Sequence, residues 1–416
     1  MHTDLRASLR PFRLPSFRRL VVAAFVSGLG DALIPIAFAI ESHRIEPSGW
    51  GLTMVLLSLW IGRFSGMFVV QRSGPASNPV RVMMASDVVR FAAQTGLLIW
   101  LVLRDGHGDG AGVAIAALAV SSGVYGIATA FFQPARFTAI PRIVPFEHHG
   151  HANAWLSIFG DVFAIAGPLA GSVIVLSIGF NAVLIIDAIS FLIGIFLLAS
   201  IKITHADPVA DAMTSDDKKL TDTGTPAGAV SLPRWVNVGL GTWLFVALTI
   251  GLLGVAGPTL VIDRNSVSVW AATAACMAIG SLVGSTSSLL GVVKAVPWKY
   301  LQFLCCLGLA AQLLCFLFIS TPVAVWAAGF VGAALVTVSA IRWDTLGQSV
   351  GSDAQIHVFA ARDQTVNTVG SPAGMLVFGI AGVLDLRTAI VMTVAMAVAF
   401  IGIFIVTVKT KPSIQI

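Results

Sequence analysis

The sequence predicts an all-α, polytopic membrane bundle of about twelve transmembrane helices arranged in two six-helix halves, and three observations carry that expectation. Of the 416 residues, 56% are hydrophobic and only 11% are charged, against about 25% charged in a soluble domain. Apolar runs recur at the length that the hydrocarbon core demands, about 20 residues of helix for about 30 Å. One long polar stretch near the middle separates two sets of such runs.

In chain order the spans are expected near 19–41, 49–71, 82–103, 111–133, 152–176, 178–201, 236–262, 266–293, 299–319, 322–342, 361–384 and 386–408. The eleventh opens on a polar stretch containing Arg362, Asp363, Gln364 and Asn367. Backbone exposed to lipid must satisfy its own hydrogen bonds, so helices are the expected spanning elements. The first run follows a basic leader and is too long for the core of a cleaved signal peptide, so it is expected to remain as the first span.

Charge sets the orientation. With the N-terminus inside, most of the 25 Lys and Arg residues face the cytoplasm, while Arg44, Arg104, Arg264 and Arg387 face out. That is the sign of the positive-inside bias, and it places both termini in the cytoplasm of a cell membrane. Trp50, Trp100, Trp235, Trp270, Trp298 and Trp343 fall near span ends, where interfacial anchoring is expected.

The polar stretch 202–234 is rich in Asp, Lys, Thr, Pro and Gly and reads as a flexible cytoplasmic linker between halves 1–201 and 235–416. The halves share short phrases. IGRFSG (61–66) is matched by IGSLVG (279–284), GPLAG (167–171) by SPAG (371–374), and FLIGIF (191–196) by FIGIF (400–404). Their corresponding positions suggest parallel repeats.

Two six-span halves with a cytoplasmic linker resemble the major facilitator superfamily. Within it, FRRL (17–20), SGLGD (27–31), SDVVR (86–90), FFQPARFTAIPRIVP (131–145), HANA (151–154), GPLAG and IDAISF (186–191) resemble the bacterial drug- and siderophore-export branch, which includes macrolide-efflux and enterobactin-exporter proteins. The stretch from Asp344 through Gln348, Asp353, Asp363 and Asn367 is similar to that branch's connection between helices ten and eleven. The resemblance implies a transporter rather than an enzyme. One departure stands out: the loop GMFVVQRSGPASNPVR (66–81) lacks the Asp that the superfamily carries between helices two and three, and IHVF (356–359) stands where arginines are usual. Altered gating, or a relative that no longer transports, would follow from that loss.

Ionisable side chains at membrane depth cost about 2.5–3.5 kcal/mol on insertion scales and so mark candidate sites. Asp31 falls near the middle of the first span, with Ser27 a turn below and Pro35 a turn above, and Pro35 cannot donate to the Asp31 carbonyl. Asp31 and Asp161 are the candidates for proton coupling and the substrate cavity; the competing reading is a packing carboxylate bonded to a neighbour. Arg63, Asp87 and Arg90 share one depth, and Asp87 and Arg90 share a helix face at i and i+3, which suits a salt-bridged structural or gating cluster. Gly167, Pro168 and Gly171 resemble the short form of the antiporter motif, where they would bend and pack the fifth helix. Asp187 matches a family position, with a hydrogen-bonded core role equally open.

Other chemistries find no support. The cysteines Cys276, Cys305, Cys306 and Cys315 lie in apolar runs without ligand spacing. The EHHGH cluster (147–151) lacks helical i, i+4 pairing with a supporting ligand, so no metal is expected. No phosphate-cradling glycine loop is present, and neither a cofactor nor nucleic acid is expected. The sequence therefore predicts a monomeric secondary transporter that exchanges protons for a hydrophobic or amphipathic small molecule, with import, lipid flipping or a non-transporting sensor or assembly partner as alternatives.

The topology is testable by single cysteines at Ser215 and Gly108 in a background lacking the native four. An impermeant reagent applied to intact cells is expected to label position 108 and spare 215; the reverse pattern would invert the orientation.

Overall fold

A computed structural model describes residues 8–46, 50–104, 110–201 and 230–408. Twelve helices among them are long and apolar enough to cross a membrane. They are α1 (Pro15–Ile45), α2 (Trp50–Arg72), α3 (Pro79–Arg104), α4 (Ala111–Ile143), α5 (His149–Ser177), α6 (Phe180–Ala199), α7 (Arg234–Arg264), α8 (Val267–Leu289), α9 (Trp298–Phe318), α10 (Pro322–Gly347), α11 (Asp353–Val383) and α12 (Arg387–Thr407). No strand occurs among the described residues. Most of the linker expected at 202–234 lies outside the described residues.

Local chemistry explains several boundaries. Pro15 and Pro322 occupy first-turn positions, where a missing N–H costs nothing. Ser266 caps α8 by accepting from the Val269 N–H. The polar start of α11 is a capping box: Gln355 N–H donates to Ser352 Oγ, and Ser352 N–H donates to Gln355 Oε1. That box starts α11 eight residues before the apolar run at 361, a signal that hydropathy does not carry. Likewise α4 runs through Pro134 and Pro141 to Ile143, past the expected limit of 133. Inside the spans, Thr242, Thr249 and Thr273 donate to the carbonyls of Val238, Phe245 and Val269, satisfying hydroxyls that lipid cannot.

The chain divides into two compact units. Residues 10–146 and 162–201 form an amino-terminal unit, whereas 147–161 and 231–408 belong to a carboxy-terminal unit, so the boundary also falls within α5. In the amino-terminal unit α2 packs on α4, and α3 packs on α4 and α6. In the carboxy-terminal unit α8 packs on α10, and α9 packs on α10 and α12.

The paired phrases of the sequence mark these contacts. On α2, a Cβ at Gly62 would strike the Gly123 carbonyl of α4, and one at Gly66 would lie 2.8 Å from the Ile127 carbonyl. On α8, Gly280 meets the Phe330 carbonyl of α10, and a Cβ at Gly284 would lie 2.6 Å from the Ala334 carbonyl. Gly167 and Gly171 of α5 face Ala32 and Leu33 of α1, and Gly370 and Gly374 of α11 face Ala247 and Leu248 of α7. Equivalent glycines thus bring equivalent helix backbones together in each unit, the small-residue packing that membranes favour. Gly160, seven residues before Gly167 on the same helix, has nothing within 4 Å of a Cβ position and takes no part. Pro168 lies within α5, which is helical from His149 to Ser177.

The tryptophan expectation is corrected in part. Trp50 is 62% exposed, but Trp235, Trp298 and Trp343 are each at most 6% exposed. Trp343 sits at 6.1 Å from both Trp235 and Trp298 and at 6.3 Å from Trp243, with Phe359 at 5.0 Å. Gly239 makes room for the Trp343 ring. These side chains fill a core rather than anchor at an interface.

At Gly167 a Cβ would lie 2.5 Å from Ala32 Cβ and 2.7 Å from the Ala32 carbonyl oxygen. Gly167→Leu is therefore expected to cost about 1–3 kcal/mol through overpacking, while Gly160→Leu leaves stability unchanged. Thermal unfolding in detergent measures both, and equal melting temperatures would remove this contact from the packing.

Candidate functional site: a buried charge cluster in the amino-terminal unit

The cluster is built around Arg90. This arginine lies on α3 and is completely buried. Its Nη1 is 3.5 Å from Asp31 Oδ2 on α1 and 3.5 Å from Asp87 Oδ1 one turn earlier on α3. The rings of Phe132, Tyr125 and Phe191 stand 4.6, 5.3 and 5.5 Å from its guanidinium carbon. A buried guanidinium needs both counter-charges and contact surface, and aromatic faces supply the second through cation–π attraction of about 2 kcal/mol when desolvated. Tyr125 of α4 also donates its hydroxyl to Asp31 Oδ1.

Asp31 therefore has two fixed partners, yet its side chain remains 33% exposed, while those of Asp87 and Arg90 are 1% and 0% exposed. It is the accessible member of a buried network. Ser27, a turn before it on α1, is buried, and its hydroxyl and Asp87 Oδ2 approach the position of a Cβ on Gly194 of α6 at 2.9 and 3.2 Å. Asp187 of α6 is buried beside Gly30 of α1.

The expected groupings are rearranged. Asp31 joins Asp87 and Arg90, while Arg63 forms no ion pair among the described residues. Arg63 stays within electrostatic reach of Asp31 and Tyr125, with its guanidinium carbon 5.4 Å from the Trp60 ring. Asp161 belongs to the carboxy-terminal unit and not to this cluster. There Ser281 donates to its Oδ1 at 2.7 Å and Ser285 to its Oδ2 at 2.5 Å. Thr337 and Ser157 hydroxyls extend that chain at 2.7 and 3.0 Å. Nearby in the same unit Asn153 and Gln348 exchange amide hydrogen bonds of 2.9 and 3.1 Å. Trp343 Nε1 donates to Asp363 Oδ1 at 2.8 Å, and Asn367 donates to Asp363 Oδ2 at 3.3 Å.

Tyr125, Phe132, Phe191 and Gln94 join the cluster without standing out in the sequence. Tyr125 is one of only two tyrosines in the chain, which is a usable signal inside an apolar run. Gln94 follows Arg90 by four residues on the same helix face. Phe132 and Phe191 are indistinguishable from core phenylalanines until the arginine they cover is placed.

The family profile of the Major Facilitator Superfamily matches residues 20–375. The chain belongs to the major facilitator superfamily. Its members are transporters rather than enzymes. No curated protein sequence matches the chain. Among solved structures, it is similar to a bacterial homologue of the iron transporter ferroportin in an outward-facing state with soaked iron. That match has a TM-score of 0.71 at 14% identity and covers 94% of this chain and 99% of the other. The proton:xylose symporter XylE aligns with TM-score 0.71 at 13% identity, covering 96% of this chain and 98% of its own. The human organic anion transporter MFSD10 aligns with TM-score 0.65 at 13% identity, covering 94% and 99%. At these identities the likeness concerns the fold.

Removing one partner of a buried ion pair leaves the other uncompensated, at a cost of about 3–5 kcal/mol. Arg90→Leu is expected to lose about that much, and the double variant Asp87→Asn with Arg90→Leu less than the sum of the single losses. Thermal unfolding of the purified variants measures the cycle; strict additivity would show that the two side chains do not interact.

Proposed function

We propose that this facilitator is a proton-coupled exporter of a hydrophobic or amphipathic small molecule and that Asp31 carries the coupling proton. The observation that supports this reading is the arrangement of Asp31 near the middle of α1. Its carboxylate is ion-paired to a fully buried arginine and bonded by Tyr125, yet stays partly exposed. A carboxylate so placed can exchange a proton or meet a cationic group on a substrate, and either event weakens its hold on Arg90. A proton and an ammonium-bearing cargo then compete for one charge. Binding cargo from inside and a proton from outside yields exchange.

Asp87 and Arg90 act in this reading as the rigid half of the switch, with Arg63 tuning the field beside Asp31. Asp161 is the second candidate for proton coupling, held by Ser281 and Ser285. Gly167 and Gly171 shape the α1–α5 contact, with Pro168 the candidate for a bend in the same element. Both termini and the 202–234 linker are cytoplasmic, the halves 1–201 and 235–416 form the two functional bodies, and the protein works as a monomer in the cell membrane. The orientation is supported by the shared end of α1 to α4, where Arg10, Arg13, Arg18, Arg72, Arg81 and Arg142 gather without an acidic residue in 10–19, 72–81 or 136–146.

Asp31→Asn keeps the size of the side chain but fixes a neutral state. It is expected to abolish concentration of a cationic dye into inverted vesicles under an imposed pH gradient while leaving downhill exchange. Undiminished gradient-driven uptake by that variant would move the proton elsewhere, with Asp161→Asn the next variant to assay.

A further inference from the structure

The export reading leaves one buried acid unused. Asp187 of α6 has no exposed surface. On its own helix Ser190 is the neighbouring donor, but that hydroxyl bonds the Asp187 main-chain carbonyl at 2.7 Å rather than the carboxyl. The carboxyl oxygens meet the Gln94 side chain of α3, without a hydrogen bond of standard geometry. Across the helix interface Gly30 of α1 provides the space, since a Cβ there would strike Asp187 Oδ1.

The charged and titratable groups facing Asp187 are Asp31 on α1, Asp87 and Arg90 on α3, and Tyr125 on α4. Three carboxyl groups thus surround one fully buried guanidinium. Both ion pairs of Arg90 go to Asp31 and Asp87, and both are made through Nη1. No ion pair reaches Asp187 among the described residues. A carboxylate buried beside two other carboxylates, with no cation of its own, is the arrangement that favours the neutral acid.

We infer that Asp187 is a resident proton-binding site, holding a proton while Asp31 and Asp87 share Arg90. The uncharged carboxylic acid can lie against Gly30 and offer its O–H to the Gln94 amide oxygen, which also lacks a standard partner. The inference deepens the export reading by assigning the cluster a second protonatable group that no cargo reaches. It limits the competition for Arg90 to two carboxylates, one accessible and one buried.

The test is infrared spectroscopy of the purified protein at neutral pH, which resolves the C=O stretch of a protonated carboxyl group from carboxylate bands. Wild type is expected to show the protonated band, Asp187→Asn to show it weakened by one group, and Asp263→Asn, at the exposed end of α7, to retain it in full. A wild-type spectrum without the band overturns the inference before any variant is made, so the result does not depend on how Asp187→Asn folds. A band of undiminished intensity in folded Asp187→Asn overturns it as well. Neither measurement requires a substrate, so failure here is distinguishable from failure of the export reading.

Discussion

The close approach of helix backbones at glycine is the constraint on which this structure rests. Between helices in lipid there is no gain from removing apolar surface from water, so association depends on contact distance and on satisfied polar groups. Gly62, Gly66, Gly280 and Gly284 let α2 meet α4 and α8 meet α10 at carbonyl contact. Gly167, Gly171, Gly370 and Gly374 do the same for α1 with α5 and α7 with α11. Once those backbones are fixed, the remaining geometry narrows. Gly30 sets how closely α6 approaches α1, and that approach places Asp187 and Phe191 beside the arginine of α3.

The charge cluster follows from this packing. Arg90 cannot reach water, and its two carboxylate partners come from different helices, so the pairing also ties α1 to α3. Aromatic rings from α4 and α6 close the remaining sides. An isolated guanidinium in hydrocarbon would be expelled toward an interface. Here it is retained because four helices each contribute a group to it.

Much of the fold was legible in the sequence because hydropathy and length are one-dimensional signals. The twelve helices fall near the expected spans, and the short repeated phrases mark corresponding contacts. What hydropathy cannot see is polar helix: the capping box that starts α11 at Asp353 and the extension of α4 through two prolines were both hidden in stretches that look like connections. The site was legible in part. Asp31, Asp87 and Arg90 stand out because charge at membrane depth is costly, but which of them pair depends on helix rotation. For that reason the sequence groups Arg63 with the ion pairs and Asp161 with Asp31, although Asp161 belongs to the carboxy-terminal unit. The sequence places the buried tryptophans at an interface for a related reason, since a position near a span end does not say whether a ring faces lipid or a neighbouring helix.

Those tryptophans have an optical consequence. Trp343 lies within 6.3 Å of the rings of Trp235, Trp243 and Trp298, close enough for excitation on one indole to pass to the others. Its own N–H is bonded to the Asp363 carboxyl. Ultraviolet emission from this part of the carboxy-terminal unit therefore behaves as that of a joined set of chromophores. The Asp363 carboxyl is the polar group that meets this set of rings at Trp343.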